Sequence, residues 1–189
     1  MRKFLIALAL GCAAPLSCFA DAFEERIGPC LACHGENGQS DKAEVPSLGA
    51  EPAFYLLIQL YLFREKQRRI EIMNDAAKDL TDEDLRRFSD FITKLPAPNP
   101  PQETPDPTRM ERGWTLVQKY RCEFCHSRDL SGHDNVPRIA AQREDYLVKA
   151  LREYKANTRP GYDATMAEVT QPIPDGDITE LAYFLARLR

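Results

Sequence analysis

The chain has 189 residues, 29 of them acidic and 25 basic, which gives a formal net charge of −4 at pH 7. An acidic chain of this kind lacks the basic surface that nucleic-acid binding requires, so we expect no nucleic-acid partner. Six cysteines and three histidines are the main candidates for metal and redox chemistry.

The first twenty residues have the features of a secretory signal peptide. Arg2 and Lys3 are basic residues close to the start of the chain, an apolar stretch covers 4–14, and Ala20 is a small residue suited to cleavage. The apolar stretch is shorter than the roughly 20 residues that a membrane-spanning helix needs, and Pro15 interrupts it. We therefore predict that residues 1–20 are removed and that the protein is exported to an oxidising compartment. An uncleaved membrane anchor and a lipid on Cys12 are the alternatives.

A short motif, Cys-x-x-Cys-His, occurs twice in the rest of the chain, and it is the attachment sequence of c-type haem. On a helix, residues three and four apart share a face. Both thiols can then form thioether bonds with one porphyrin while the histidine turns a ring nitrogen toward the iron. We expect two haems, held by Cys30, Cys33, His34, Cys122, Cys125 and His126.

Three other uses of these cysteines are weaker. A structural zinc site normally has its two Cys-x-x-Cys pairs about 15 to 20 residues apart, whereas almost ninety residues separate them here. A thioredoxin-like motif needs strands between helices, and we find no clear alternating apolar run between the cysteines. Simple disulfides would not explain why a histidine directly follows the second cysteine of both motifs.

The duplication extends well beyond the motif, with a nearly constant offset of 91 to 93 positions between the halves. The matched pairs include Pro46 with Pro137, Tyr55 with Tyr146, and Met73 with Met166. Between the halves lies a proline-rich segment, which disfavours helix and favours an extended spacer. We therefore predict a first domain over 21–95, a linker over 96–108 and a second domain over 109–189.

Apolar residues recur at helical spacing in both halves, which predicts an all-α fold. Trp114, Val117 and Tyr120 show this spacing just ahead of the second motif. The last helix of each half is expected to begin near residues 81 and 175, where acceptor side chains can cap free amides. A domain of about eighty residues has a marginal apolar core, and a buried haem would add apolar mass to it.

Methionine sulfur is the expected ligand on the far side of each iron. Met73 and Met166 lie 39 and 40 residues after the motif histidines, and this matched placement favours a shared role over flexible core filling. Met110 lies just before the second motif and is badly placed to reach the far side of that haem. His133 follows the second motif but has no counterpart in the first half, so we expect it to be a surface residue.

A metal-bound histidine is commonly oriented by a carbonyl group that accepts its other ring N–H. Pro46 and Pro137 follow the motif histidines by twelve and eleven residues. Their carbonyl groups are candidates for this role. The alternative is that each proline only shapes a loop.

With these residues in place, the chain resembles the di-haem class I cytochromes c of the cytochrome c-four type, over essentially its whole mature length. The resemblance implies two tandem cytochrome c domains, each a small helical bundle around one covalently bound haem. It also implies electron transfer in the periplasm, often to a terminal oxidase. Two departures are visible. Ser127 stands where such cytochromes usually have a glycine, as at Gly35, and Ala50-Glu51 and Ala141-Gln142 replace the usual Gly-Gln pair.

The expected function is that of a non-enzymatic carrier that passes single electrons through two His/Met-ligated haems in a respiratory chain. With both axial positions filled, each iron would exchange electrons without binding substrate. The expected partners are redox proteins such as a terminal oxidase or a quinol-oxidising complex. Two alternatives stay open. One is a di-haem oxidoreductase, either a peroxidase or a sulfur-compound dehydrogenase, and the other is the electron-entry subunit of a larger respiratory complex.

One segment differs sharply between the halves, because five of its apolar positions, Ala53 among them, are charged in the second copy. At about 100° per residue these positions fall on the side of the helix opposite the shared apolar stripe. Exposed apolar patches usually mark contacts. The other domain, a redox partner or a membrane surface could cover this face, and looser packing is the alternative. The predicted docking face consists of Phe54, Ile58, Tyr61 and Leu62.

Overall fold

The protein is helical in this computed structural model, which describes residues 17–160 and 164–188, with side chains from residue 23 onward. The helices of the first half are α1 (Ser17–His34), α2 (Ala53–Arg64), α3 (Glu71–Ala77) and α4 (Asp82–Ile92). Those of the second half are α5 (Pro107–Lys119), α6 (Cys122–His126), α7 (Glu144–Lys155), α8 (Thr165–Thr170) and α9 (Asp175–Arg187). Among these residues, β structure is limited to one isolated bridge between His133 and Val136, so the predicted all-α fold is confirmed.

The predicted signal peptide lies mostly outside the described residues, which begin at Ser17, so its removal stays a prediction. Cys12 and the apolar stretch over 4–14 fall in the same part of the chain. Within the described ranges, no helix is both long and apolar enough to cross a membrane.

The first half is built around a small core between α1, α2 and α4. A capping box starts α4: the Thr81 hydroxyl accepts the N–H of Asp84, and the Asp84 carboxylate accepts the N–H of Thr81 at 2.8 Å. Helical spacing along α4 then presents Phe88 and Ile92 to the core. The ring of Phe23 on α1 packs edge-on against Phe88, with 5.7 Å between ring centroids. The buried cluster consists of Ile27, Leu56, Phe88 and Ile92.

The second half has a larger core between α5, α7 and α9. The Asp106 carboxylate accepts the N–H of Thr108 at 2.8 Å, and Pro107 occupies the first helical position, where its missing N–H is no loss. Gly113 allows α5 to approach α9 closely, because a Cβ there would lie 2.2 Å from the Cβ of Phe184. The buried cluster consists of Leu116, Val117, Leu130, Ala140, Leu147, Ile173, Ile178, Leu181, Ala182, Phe184, Leu185 and Ala186.

The segment between the halves forms hydrogen bonds with residues of both halves. It contains no helix over 96–106, as its proline content predicts, whereas the last two residues of the predicted linker belong to α5. The Gln39 side chain donates to the carbonyl of Asn99 at 3.0 Å and accepts the N–H of Asn99 at 3.2 Å. The N–H of Asp106 donates to the Tyr183 hydroxyl at 2.8 Å. The spacer is therefore tied to both halves.

Hydrogen bonds also join the two halves directly. The N–H of Ser47 donates to Oε1 of Gln142 at 2.8 Å, and Nε2 of Gln142 donates back to the Ser47 carbonyl at 2.8 Å. The N–H of Tyr55 donates to the carbonyl of Asp134 at 3.0 Å. Polar side chains add contacts between Lys149 and Glu44, and between Arg143 and Ser40. We call this set of contacts the interface between the halves.

Helix α2 corrects the predicted docking face. Phe54 and Tyr61 are exposed, at 50% and 42% of their surface, as a docking face requires. Ile58 and Leu62 are buried, at 9% and 6%, so the chain itself covers them and they are not free to contact a redox partner or a membrane. The buried residues of α2 cover an arc of about 160° that reaches these two positions, while Phe54 and Tyr61 lie just beyond its edge. Comparing α2 with the matching, charged segment of the second half identifies the positions that are apolar only in α2. It does not show whether other parts of the chain bury these positions.

We expect the ion pair of Asp84 with Arg26 to stabilise the first half. Burial by itself would raise the pKa of Asp84, but hydrogen bonds from Arg26 and Thr81 outweigh it and lower the pKa to about 2. The ionised carboxylate therefore stabilises the fold above the ordinary pKa of 3.8, and this stabilisation is lost as the pH falls toward 2. Arg26 is partly exposed, which weakens the pair, so we expect Asp84→Asn to cost about 1 to 2 kcal/mol near neutral pH.

Urea unfolding of the mature, haem-loaded protein near neutral pH and near pH 2 measures this effect. The difference between wild type and Asp84→Asn should shrink at the acid pH. Asp82→Asn is the matched control, because Asp82 begins the same helix but is exposed in its ion pair with Arg64, and it should cost less. An equal cost of Asp84→Asn at both pH values would contradict the linkage.

Candidate haem sites

The first motif occupies the last turn of α1, where its three reactive side chains share one face. Cys30 and Cys33 are free thiols that are partly accessible, while His34 is buried. Gly35 ends the helix with a φ of 88°, and a Cβ there would lie 2.1 Å from the Gln39 carbonyl oxygen. The turn therefore delivers two thiols and one imidazole to the same side of the chain.

A loop carbonyl fixes the ring of His34. Its Nδ1 lies 2.8 Å from the carbonyl oxygen of Pro46, and because a carbonyl can only accept, Nδ1 carries the proton. Burial lowers the pKa of His34, which keeps the ring neutral. Nε2 then has its lone pair free for a metal, which is the arrangement that Pro46 was predicted to support.

The second motif reaches the same geometry by a different route. The chain leaves α5 through Arg121, whose φ of 57° is left-handed, and α6 then carries the motif. His126 is buried, its Nδ1 lies 2.8 Å from the Pro137 carbonyl oxygen, and burial lowers its pKa. Burial also raises the pKa of the Cys122 thiol to about 11. Of the two alternatives for the matched prolines, the one in which their carbonyl groups contact the histidine rings is therefore present in both halves.

The loops that carry the two prolines are built alike. In each loop two consecutive backbone N–H groups donate to one carbonyl, that of Gly38 in the first half and Leu130 in the second, at 2.7 to 3.1 Å. Both acceptor residues have a positive φ, 77° for Gly38 and 58° for Leu130. Ser127, which replaces the usual glycine, also has a positive φ of 71°, so the side chain changes but the backbone path does not.

Met73 and Met166 lie on matched short helices, α3 and α8, which pack against α2 and α7 respectively. Both side chains are half-buried, and among the described residues neither belongs to a buried core cluster. Met110, in contrast, packs against the core of the second half. This distribution fits core filling for Met110 and another role for Met73 and Met166.

His133 lies in a tight surface turn. Its N–H donates to the carbonyl of Val136 at 2.9 Å, and the N–H of Val136 donates back to the His133 carbonyl at 2.7 Å. The imidazole is exposed and lies 3.2 Å from the carboxylate of Asp134. The expectation that His133 is a surface residue is confirmed.

Two buried arginines were not singled out by the sequence motifs. Arg68 follows α2 and Arg159 follows α7, at the offset of 91 positions that also relates the matched prolines and tyrosines. Arg68 donates to Oε1 of Gln59 at 2.7 Å, and Arg159 donates to the Tyr146 hydroxyl at 2.8 Å. The Nε atoms of both arginines have no hydrogen-bond partner within the described residues. The signal that could have found them is the repeat itself, which places the same residue type at the same offset.

These arginines also change the electrostatics of their surroundings. Burial by itself would raise the pKa of Tyr146, but Arg159 and Arg68 outweigh it and lower that pKa. The guanidinium of Arg159 also lies over the ring of Tyr154, 5.0 Å from its centroid. Buried cations with unused N–H donors fit an anionic group, and the propionate carboxylates of a haem are such groups. The thiols, the neutral imidazoles and the buried cations together fit a c-type haem in each half.

No family model matches the chain. It is 24% identical over 203 residues to cytochrome c4 of Pseudomonas aeruginosa, which covers 100% of both chains. A thiosulfate dehydrogenase electron acceptor of Thiomonas intermedia is 27% identical over 199 residues, 98% of this chain and 91% of that protein. Cytochrome c-554(548) of Halomonas halodenitrificans is 38% identical over 77 residues, 39% of this chain and 93% of that protein.

The crystal structure of reduced recombinant cytochrome c4 from Pseudomonas stutzeri shares the fold, with a TM-score of 0.81. The two chains are 23% identical, and the match covers 90% of this chain and 98% of that one. The duplicated attachment motif, the shared fold and the similarity to these cytochromes agree with one another. The chain belongs to the di-haem electron-transfer cytochromes c of the cytochrome c4 type.

Proposed function

We propose that the protein is a periplasmic carrier that passes single electrons between redox partner proteins of a respiratory chain. The observation that carries this proposal is the pair of matched sites, each with two thiols beside a buried, neutral histidine whose Nδ1 lies 2.8 Å from a proline carbonyl oxygen. A c-type haem, when bound, supplies an iron that gains and loses one electron. The chain contributes ligation, burial and the charges that tune the reduction potential.

The motif residues are the proposed attachment and proximal ligands. Their placement on one face of a helical turn supports this role, as does the ring orientation set by the proline carbonyls. A neutral imidazole is the form that binds iron, and burial favours it at both sites. The proposed thioether attachment residues and proximal ligands are Cys30, Cys33, Cys122, Cys125, His34 and His126.

Met73 and Met166 are the proposed distal ligands. Their support is the matched position on α3 and α8 and their absence from the core clusters of the described residues. The exposed position of His133 leaves methionine as the better candidate in the second half. A thioether ligand raises the reduction potential above that of a bis-histidine haem.

Arg68 and Arg159 are proposed to bind the haem propionates. Their support is near-complete burial together with Nε atoms that have no partner in the described part of the chain. A buried carboxylate needs such charge-assisted hydrogen bonds. The two arginines would then influence both potentials.

We further propose that the mature protein consists of two haem-binding domains, 21–95 and 109–189, joined by the linker over 96–108 and exported after loss of residues 1–20. The separate core clusters of the two halves support this division. The apolar leader supports export.

A terminal oxidase or a quinol-oxidising complex is the proposed type of partner. Phe54 and Tyr61 remain candidates for a contact with it, because both are exposed. A second candidate is supported by the similarity to a thiosulfate dehydrogenase electron acceptor. In that case the electron donor would be a sulfur-compound dehydrogenase.

In a potentiometric titration followed by visible absorbance, we expect the mature, haem-loaded protein to take up two electrons, one at each haem. Added cyanide or peroxide should react slowly with the oxidised protein, because side chains are proposed to fill both axial positions. Uptake of one electron, or rapid turnover of peroxide, would contradict the carrier function and favour a di-haem oxidoreductase.

An experiment with thiosulfate distinguishes two possible roles of the protein in sulfur oxidation, that of an electron acceptor for a dehydrogenase and that of a dehydrogenase itself. Thiosulfate alone should leave the protein oxidised, whereas thiosulfate with a thiosulfate dehydrogenase should reduce it if that enzyme is the donor. Reduction by thiosulfate alone would show dehydrogenase activity in this chain and overturn the carrier proposal.

A further inference from the structure

Two equivalent hydrogen bonds cross the interface between the halves. Ser47 and Arg138 occupy matched positions, 91 residues apart, and so do Glu51 and Gln142. The N–H of Ser47 donates to the side chain of Gln142 at 2.8 Å, and the N–H of Arg138 donates to the side chain of Glu51 at 3.0 Å. Each half therefore presents one backbone N–H and one side-chain acceptor to the other, as in a two-fold symmetric contact.

The two acceptors differ in one chemical respect. Gln142 also donates, through its Nε2, to the carbonyl of Ser47 at 2.8 Å, so that contact has two hydrogen bonds. A glutamate can reproduce the second bond only when its carboxyl group carries a proton. An ionised Glu51 has no proton to donate, so at the position equivalent to Nε2 of Gln142 it would offer only a carboxylate oxygen, which can accept a hydrogen bond but not donate one.

We propose that Glu51 is a proton-dependent latch: it is protonated while the two halves are in contact, it loses the proton when they separate, and a rising pH therefore weakens their association. The protonated carboxyl group takes the place that the amide of Gln142 takes in the other contact. The proposal concerns the interface and does not depend on the identity of the haem ligands.

The surroundings of Glu51 favour the neutral form. Its surface is 4% exposed, and among the described residues it forms no ion pair. The charged and titratable groups that face it are Arg138, Arg159 and the half-buried Tyr55. Burial raises the pKa of Glu51 to about 8, although Arg138 and Arg159 both act to lower it. A buried carboxylate without a paired cation is costly, so burial outweighs the arginines.

The direction of the pH effect follows from this difference. In separated halves Glu51 would be solvated and would have its ordinary pKa of 4.5. Between that value and about 8, closing the interface binds one proton, so the ratio of closed to open molecules falls about tenfold for each pH unit. Below 4.5 and above about 8 both forms have the same protonation, and the ratio becomes constant.

Hydrogen exchange of the mature, haem-loaded protein tests the latch. The N–H groups of Tyr55 and Ser47 both donate across the interface, so their protection reports its opening. After correction for intrinsic exchange, we expect the protection of both to fall about tenfold per pH unit over roughly pH 5 to 8. In Glu51→Gln, which keeps the shape and the donor, the protection should stay constant over the same range. Near pH 8 the variant should be protected at least about tenfold better than wild type.

Two controls keep the test specific. The N–H groups of Leu85 and Ile178 donate to the carbonyls of Thr81 and Pro174, in the first turns of α4 and α9 and away from the interface, and their protection should not show this slope. Gln142→Glu places a second carboxyl group at the matched position and should make the fall steeper than tenfold per pH unit.

Three results would overturn the latch. One is a constant protection in wild type, and another is the same fall in Glu51→Gln. The third is the same slope at Leu85 and Ile178, because the proton would then be linked to unfolding of the halves and not to their separation.

Discussion

Replacing both cysteines of one motif with serine is expected to reduce the covalently bound haem from two to one per chain, because serine cannot form the thioether bonds. The variants are Cys30→Ser with Cys33→Ser, and Cys122→Ser with Cys125→Ser. Haem that resists extraction by acidified organic solvent, together with the mass of the mature protein, measures the result. Two covalent haems in either double variant would contradict the proposed attachment.

The two double variants should also differ in stability. Among the described residues, the buried cluster of the first half has four members and that of the second half has twelve. The first half therefore relies more on the apolar mass of its haem. We expect the first double variant to lose more helix, measured by far-ultraviolet circular dichroism, than the second. Equal losses would show that the haem contributes alike to both halves.

Met73→Ala and Met166→Ala are each expected to remove the iron–sulfur bond of one haem and to lower its reduction potential. Axial ligands span a range of roughly 0.8 V across haem proteins, so loss of one thioether should lower the potential of that haem by on the order of 0.1 V or more. The weak absorption band near the red edge of the oxidised spectrum, which is characteristic of methionine ligation, should decrease in each single variant. It should disappear in the double variant.

Met110→Ala is the matched control for these variants. Met110 lies on α5 and packs against the core of the second half, so its loss should lower stability and leave the band and both potentials unchanged. A band that persists in Met73→Ala or in Met166→Ala at full intensity would remove the corresponding ligand assignment.

The chemistry of haem attachment made part of the site predictable. Thioether bonds and iron ligation need side chains at strict spacing, so the motif carries its meaning without knowledge of the fold. The repeat extended this to Pro46 and Pro137, whose carbonyl groups do accept the ring N–H of the two histidines. The repeat also relates Arg68 to Arg159, but neither arginine belongs to a short sequence motif that would predict its role.

The predicted docking face on α2 is an example of a feature that sequence spacing alone does not determine. Comparison of the two halves places Ile58, Leu62, Phe54 and Tyr61 together as apolar positions, yet the first two are buried and the last two are exposed. Amphipathic spacing describes one helix, and burial depends on every segment that packs against it. No local pattern contains that information.

The sequence by itself determined the helical fold class, the duplication, and the residues proposed to hold two haems, because each of these depends on local spacing or on covalent chemistry. Only the tertiary structure decided which apolar residues of α2 reach the surface, that two arginines are buried with unused donors, and that Glu51 and Gln142 face the opposite half in equivalent contacts. These features join residues distant in the chain, and the environment of a carboxyl or a guanidinium group, which sets its charge, exists only once those segments are packed together.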